Sequence, residues 1–112
     1  MIQDVRRLAP GATMIGEAFT LRYRPAREEL ALLRVFRDPA HPQRAAVERC
    51  PPGAVMVMDR RKDARAASAG SILITRLMMR GAGGVVTDCG FRDCEDIARP
   101  CWRTTSPTRR WR

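Results

Sequence analysis

The chain has 112 residues, 45% of them apolar, and a formal charge of +9 at neutral pH. A chain of that length forms one small domain or a piece of a larger one, and its charge-free runs are far too short to cross a bilayer. An acid and two arginines occupy "MIQDVRRLAPG", where a secretory leader would be apolar, so this stretch does not read as a signal peptide and a cytoplasmic protein is expected.

In chain order, "MIGEAFTLRY" is rich in β-formers around Ile15, Phe19, Leu21 and Tyr23 and reads as a strand over Met14 to Tyr23, with Gly16 as a bulge. A short helix is expected over Glu28 to Phe36, stopped by Asp38-Pro39 and His41-Pro42. A second helix, "QRAAVERC", ends at Pro51-Pro52-Gly53. "AVMVMD" is a continuous apolar run, the pattern of a strand covered on both faces. The polar stretch "RRKDARAASAG" leads into "SILITRLMMRG", where Ile72, Leu73, Leu77 and Met78, with Ile74 and Met79 beside them, give a broad apolar helix face. Thr75, Arg76 and Arg80 fall on the other side. Arg80 complements the helix dipole in the last turn, and Gly81 is a natural left-handed stop. "GGVVTD" is the next short strand, followed by a glycine turn and a helix from Asp93 onward. Helix, strand and glycine turn after an earlier buried strand are the grammar of an α/β domain with a mixed or parallel sheet.

The chain closes on "RPCWRTTSPTRRWR", fourteen residues with five arginines and no acid, which reads as a basic, disordered end. Without it, residues 1–98 carry 16 basic and 12 acidic side chains. The domain proper is thus only mildly basic. Of the 21 basic residues only Lys62 is lysine, a skew that fits a GC-rich coding sequence better than a phosphate-binding face, so nucleic acid is not the expected partner. Cys50, Cys89, Cys94 and Cys101 include no C-x-x-C pair, which argues against zinc and for reduced thiols.

Three stretches invite a chemical reading. "GAGG" (residues 81–84) lies between a helix and a strand, whereas phosphate loops need strand, glycine loop and then helix N-terminus, so nucleotide binding is rejected. His41, the single histidine, lies between prolines and reads as a surface residue with no sign of positioning. Arg92-Asp93 directly follows a buried strand and a glycine turn, outside the carboxyl ends of strands where α/β sheets place ligands. Arg92 offers a rigid fork to a carboxylate, and Asp93, with Asp88 or Asp96 as further candidates, offers oxygen ligands suited to magnesium or manganese. The bland alternative is a partly exposed ion pair capping the following helix.

"MIGEAFTLRY", "PPGAVMVMD", "ASAGSILITRLMMRGAGGVVTDCGFRD" and "CEDIA" together resemble the family of the regulator of ribonuclease activity A and the 4-hydroxy-4-methyl-2-oxoglutarate aldolases, from about Ile2 to Arg99. The resemblance implies a swivelling-domain-type β/β/α sandwich assembled as trimers or hexamers, here expected as a partial domain over residues 1–99, incomplete at both ends, with residues 100–112 as a tail that leaves the family frame, as a shifted reading frame would. It also implies a divalent metal, usually magnesium with manganese as the alternative, held by Asp93. Arg92 would contact an α-keto acid, as would backbone near Gly70, Ser71, Ile72 and Leu73. Two departures stand out: Ser71 replaces an acid usual in the aldolases, and Cys89 replaces a glycine.

An aldolase or oxaloacetate decarboxylase that releases pyruvate must stabilise an enolate by a lysine Schiff base or by a metal. Lys62 lies among charges in "RRKDAR", without the apolar surroundings a Schiff-base lysine needs, so the metal route fits better. The same resemblance implies two alternatives: a non-catalytic regulator that binds a ribonuclease, and an inactive truncated copy.

Overall fold

The computed structural model describes residues 8, 14–24, 38–61 and 67–98. Three strands, β1 (Ala18–Arg22), β2 (Val55–Asp59) and β3 (Gly84–Thr87), form a parallel sheet in the order β1-β2-β3. Helix α1 (Pro42–Arg49) precedes β2, α2 (Ser71–Met79) connects β2 to β3, and α3 (Cys94–Ala98) follows the strand-end turn. The helix expected over residues 28–36 and the tail at 100–112 lie outside the described residues.

Register explains which side chains meet. Phe19 pairs with Met56 and Leu21 with Met58, while Met56 pairs with Val85, so these residues share one face of the sheet. On that face Met56, Met58 and Val85 pack with Val47 and Cys50 of α1, Ile74, Leu77 and Met78 of α2, and Ile97 of α3. Met56, Leu77 and Val85 are wholly excluded from solvent. On the opposite face Ala18 and Thr20 are exposed and Val57 and Val86 half-buried. The central strand is therefore the most covered of the three, as its unbroken apolar run requires.

The first strand is shorter than its composition suggests. Residues 14–17 lie outside it, and Ile15 is 88% exposed. Gly16 is no bulge but a close approach: a Cβ there would collide with the Gly53 carbonyl oxygen. Glu17 O accepts the Val55 N–H at 2.8 Å and so sets the register of β1 against β2.

Helix α2 also differs from its helical-wheel reading. Ile74, Leu77 and Met78 form the buried stripe, whereas Ile72 and Met79 are 82% and 73% exposed and flank Arg76 on the outer surface. Six apolar residues in nine fit two arcs of a short helix, and only packing selects one. Its end agrees with the sequence. The Ala82 N–H reaches Leu77 O at 3.2 Å and the Gly81 N–H reaches Met78 O at 2.8 Å, with Gly81 at φ +88°, a Schellman stop. Glu48 of α1 accepts Arg76 Nε at 2.7 Å and Arg80 Nη1 at 3.0 Å, bridging the two helices at the surface.

Candidate functional site

The loop before α2 and the loop after β3 are bonded to each other backbone to backbone. The Ser68 N–H donates to Gly90 O at 2.8 Å and the Arg92 N–H to Ala69 O at 2.9 Å. Ser68 Oγ and Thr87 Oγ1 share a buried hydrogen bond of 2.5 Å, and half-buried Cys89 donates its N–H to Thr87 Oγ1 at 3.2 Å. The Ser68 carbonyl accepts from Tyr23 OH at 2.9 Å and from Gln43 Nε2 at 2.6 Å. Residues following β1, starting α1 and ending β3 thus converge on one buried serine. Burial pushes the Tyr23 phenol up to about 12, against the opposing charge of Arg60 and the Gln43 hydrogen bond. The Arg60 guanidinium carbon lies 4.8 Å from the ring centroid.

This strap brings Asp93 to the N-terminus of α2. Gly70, the N-cap, has no side chain with which to satisfy the first N–H groups of the helix. Asp93 Oδ2 does so from across the loop, accepting Ser71 N–H and Ser71 Oγ–H, each at 3.3 Å. Asp93 holds φ at +62°, a left-handed conformation that aspartate tolerates better than most residues. Space at Gly70 is tight: a Cβ there would lie 3.1 Å from Arg92 Nη2 and 3.2 Å from both Arg92 Nε and Asp93 Oδ2, so those side chains would have to give. Sequence-predicted Gly70, Ser71, Arg92 and Asp93 therefore form one cluster. Half-buried Leu73 lies one step along α2, and exposed Ile72 faces outward.

Arg92 is tethered only loosely. Its Nε is 3.8 Å from Asp93 Oδ2, and its side chain is 76% exposed, so this ion pair contributes about 1 kcal/mol at most and leaves the guanidinium fork available. Asp88 serves elsewhere: its Oδ1 accepts the Arg60 N–H at 2.8 Å. Asp96 is exposed on α3. Among the described residues no group of three or more His, Cys, Asp or Glu side chains gathers to hold a metal. A cation at Asp93 would have one protein carboxylate, with water and substrate completing its shell, a donor set that suits magnesium rather than zinc.

His41 is positioned after all. It is the N-cap of α1, its Nδ1 accepting the Gln43 N–H at 3.3 Å, and it is half-buried. It lines a cleft of about 610 Å³ between α1 and α2 that Gln43, Arg44, Leu73 and Arg92 also line. Nothing in "PAHPQRAA" signals this, because the cleft arises where two helices distant in sequence pack. No described helix is long and apolar enough to cross a membrane.

A parallel α/β sheet that sets an arginine and an aspartate from a strand-end turn against the start of the preceding helix defines an α/β protein with a cluster of charged side chains at that junction. The chain is more specifically placed by its sequence: the Aldolase/RraA model, RraA-like, matches residues 1–106, and the chain belongs to the RraA-like family. Its structure is similar to Streptomyces coelicolor RraAS2, described as an unusual member of the RNase ES inhibitor RraA protein family, with 27% identity and a TM-score of 0.68 over 85% of this chain and 42% of that one. An uncharacterized protein from Pseudomonas syringae pv. tomato gives 21% identity and a TM-score of 0.66, over 84% of this chain and 38% of its own. The RNA-processing inhibitor RraA from Thermus thermophilus gives 22% and 0.66, over 88% and 52%. The latter two show the α/β fold alone. The chain spans about half or less of the length of these structures. No curated protein matches it at comparable significance.

Proposed function

We propose that the cluster at the start of α2 binds an α-keto acid and, with a divalent metal at Asp93, supports a carbon–carbon lyase reaction that releases pyruvate, by aldol cleavage or by decarboxylation of oxaloacetate. The observation that carries this reading is the junction at Gly70, where the absence of a side chain lets Arg92 and Asp93 close on the helix N-terminus. In this arrangement Arg92 binds the substrate carboxylate as a fork and neutralises charge that grows as the bond breaks. Asp93 keeps Oδ2 on Ser71, and no hydrogen bond to its Oδ1 forms among the described residues, so that oxygen is the one suited to magnesium or manganese. Such a cation, when bound, supplies a Lewis acid for the keto oxygen. The left-handed backbone at Asp93 is of the kind that concentrates at functional sites, costing on the order of 1–3 kcal/mol.

Ser71 favours a second reading. Where the aldolases place an acid, this chain has a hydroxyl that donates to Asp93 and thereby holds the carboxylate as a helix cap. A protein that inhibits a ribonuclease by binding it needs that cap and no chemistry, and RraAS2 is described as a member of an RNase ES inhibitor family. Assembly as a trimer or hexamer belongs to both readings.

Purified protein incubated with oxaloacetate, with magnesium or with EDTA, separates them. The lyase reading expects pyruvate release that requires magnesium. A rate unchanged by EDTA contradicts the metal, and no release above the uncatalysed rate favours the regulator.

A further inference from the structure

The loop that carries Gly70 and Ser71 is held from outside by side chains of other elements. Gln43 Nε2 donates to Ser68 O at 2.6 Å and to Tyr23 OH at 2.9 Å, while the Tyr23 hydroxyl donates to the same carbonyl at 2.9 Å. That carbonyl can only accept, so the Gln43 amide must turn its nitrogen toward it. The Ser68 carbonyl shares one planar unit with the Ala69 nitrogen, and Ala69 O, one residue on, accepts the Arg92 N–H at 2.9 Å. Fixing the first plane limits where the second can point. Ser68 and Ala69 are only 2% and 4% exposed, so water does not replace a donor lost from this carbonyl unless the loop opens. The other bonds of the strap, from the Ser68 N–H to Gly90 O and between Ser68 Oγ and Thr87 Oγ1, join the two loops and the end of β3 to one another. Tyr23 and Gln43 tie them to the strand β1 side and to α1.

We infer that Gln43 is a positioning residue for the site: its side-chain amide fixes the Ser68 carbonyl and, through Ala69, sets the turn that presents Arg92 and Asp93 to the start of α2. This rests on the keto-acid reading for what the turn binds, whereas the positioning is a property of the chain alone. Gln43 suits the role better than Tyr23. The Tyr23 ring also packs against the core and beneath Arg60, so its loss disturbs more than one contact. Gln43 is half-buried in the first turn of α1, with its own N–H accepted by His41 Nδ1 at 3.3 Å. Its backbone is thus fixed while its side chain reaches across to the loop.

Amide hydrogen exchange followed by NMR tests the inference, with Gln43→Met and Gln43→Lys beside wild type. The three residues have similar helix propensity, so α1 is not what the comparison varies. Methionine keeps the length and donates nothing, whereas the lysine ammonium can again donate to the Ser68 carbonyl. Gln43→Met is expected to speed exchange of the Arg92 N–H at least about tenfold while the amides of β2 stay within about twofold, the pattern of a local opening. Gln43→Lys should recover part of that protection, and pyruvate affinity in magnesium should fall and recover in the same order. An Arg92 rate unchanged in Gln43→Met, or a rise shared equally by β2, overturns the inference. Wild type supplies a further check, because the chain has no asparagine and one other glutamine, which makes the side-chain NH2 signals of Gln43 easy to assign. Their exchange should be at least about tenfold slower than that of glutamine in an unstructured peptide, and equal rates overturn the inference even should neither variant fold. Exchange requires no ligand, so these rates decide the matter separately from the keto-acid reading, which falls if wild type binds no pyruvate.

Discussion

Gly70 is the residue on which the site turns. Its backbone, at φ −107° and ψ 176°, is extended and open to any residue, so conformation does not demand glycine there. Space favours it, because an added Cβ crowds the Arg92 guanidinium and the Asp93 carboxylate at 3.1–3.2 Å. The exposed tip of Arg92 yields more easily than the bonded Asp93, so Gly70→Ala is expected to displace Arg92 and leave the fold in place. Alanine also narrows the unfolded ensemble, which offsets part of the crowding. The expected outcome is a pyruvate affinity at least about tenfold weaker with a melting temperature within about 4 °C of wild type. Unchanged affinity would show that Arg92 does not need its present position. This glycine is legible in the sequence only through the resemblance, since "ASAGS" by itself reads as a loop. The cross-loop cap from Asp93 to Ser71 is not legible at all, because the partners are 22 residues apart and pair only when the strap closes.

Elements agree with the sequence most faithfully where one force acts alone. Strand β2 is plain because an unbroken apolar run has one use at that length, and α2 ends where Gly81 can turn left-handed. The inner face of α2 departs from the sequence reading at Ile72 and Met79, since a nine-residue helix with six apolar side chains does not declare which three touch a sheet. Hidden from sequence, too, is the network that fixes the loop before α2, where Tyr23 and Gln43 share the Ser68 carbonyl. Tyr23 offers a clean readout, being the only tyrosine in the chain. Its phenol is raised from 10.0 to about 12 in the fold, so the neutral form is favoured when folded. The resulting stability is complete below pH 10 and is lost as pH rises from about 10 to about 12. Tyrosinate absorbance should titrate near 12 in the folded protein and near 10 in denaturant. A native midpoint near 10 would mean that the ring is solvated and the strap is open.

At the scale of the whole molecule, α/β organisation is readable from element order, and the parallel pairing of all three strands is the natural result of helices placed between them. Element order could not give the cleft, which depends on α1 and α2 packing on the same face and on Glu48 clamping them. The arrangement gathers the candidate site residues at one end of the sheet, where strand-end loops and the start of α2 meet near Arg92 and Asp93. The central claim is that Asp93 holds a divalent metal there, and magnesium titration by calorimetry in the presence of pyruvate tests it most directly. Asp93→Asn is the suitable variant, because asparagine tolerates the left-handed backbone and retains an oxygen to accept the Ser71 N–H while losing the charge. Wild type is expected to bind magnesium, and Asp93→Asn to lose at least about tenfold in affinity with its melting transition preserved. Equal magnesium affinity in the two proteins would contradict the claim and leave Asp93 as the cap of α2 alone.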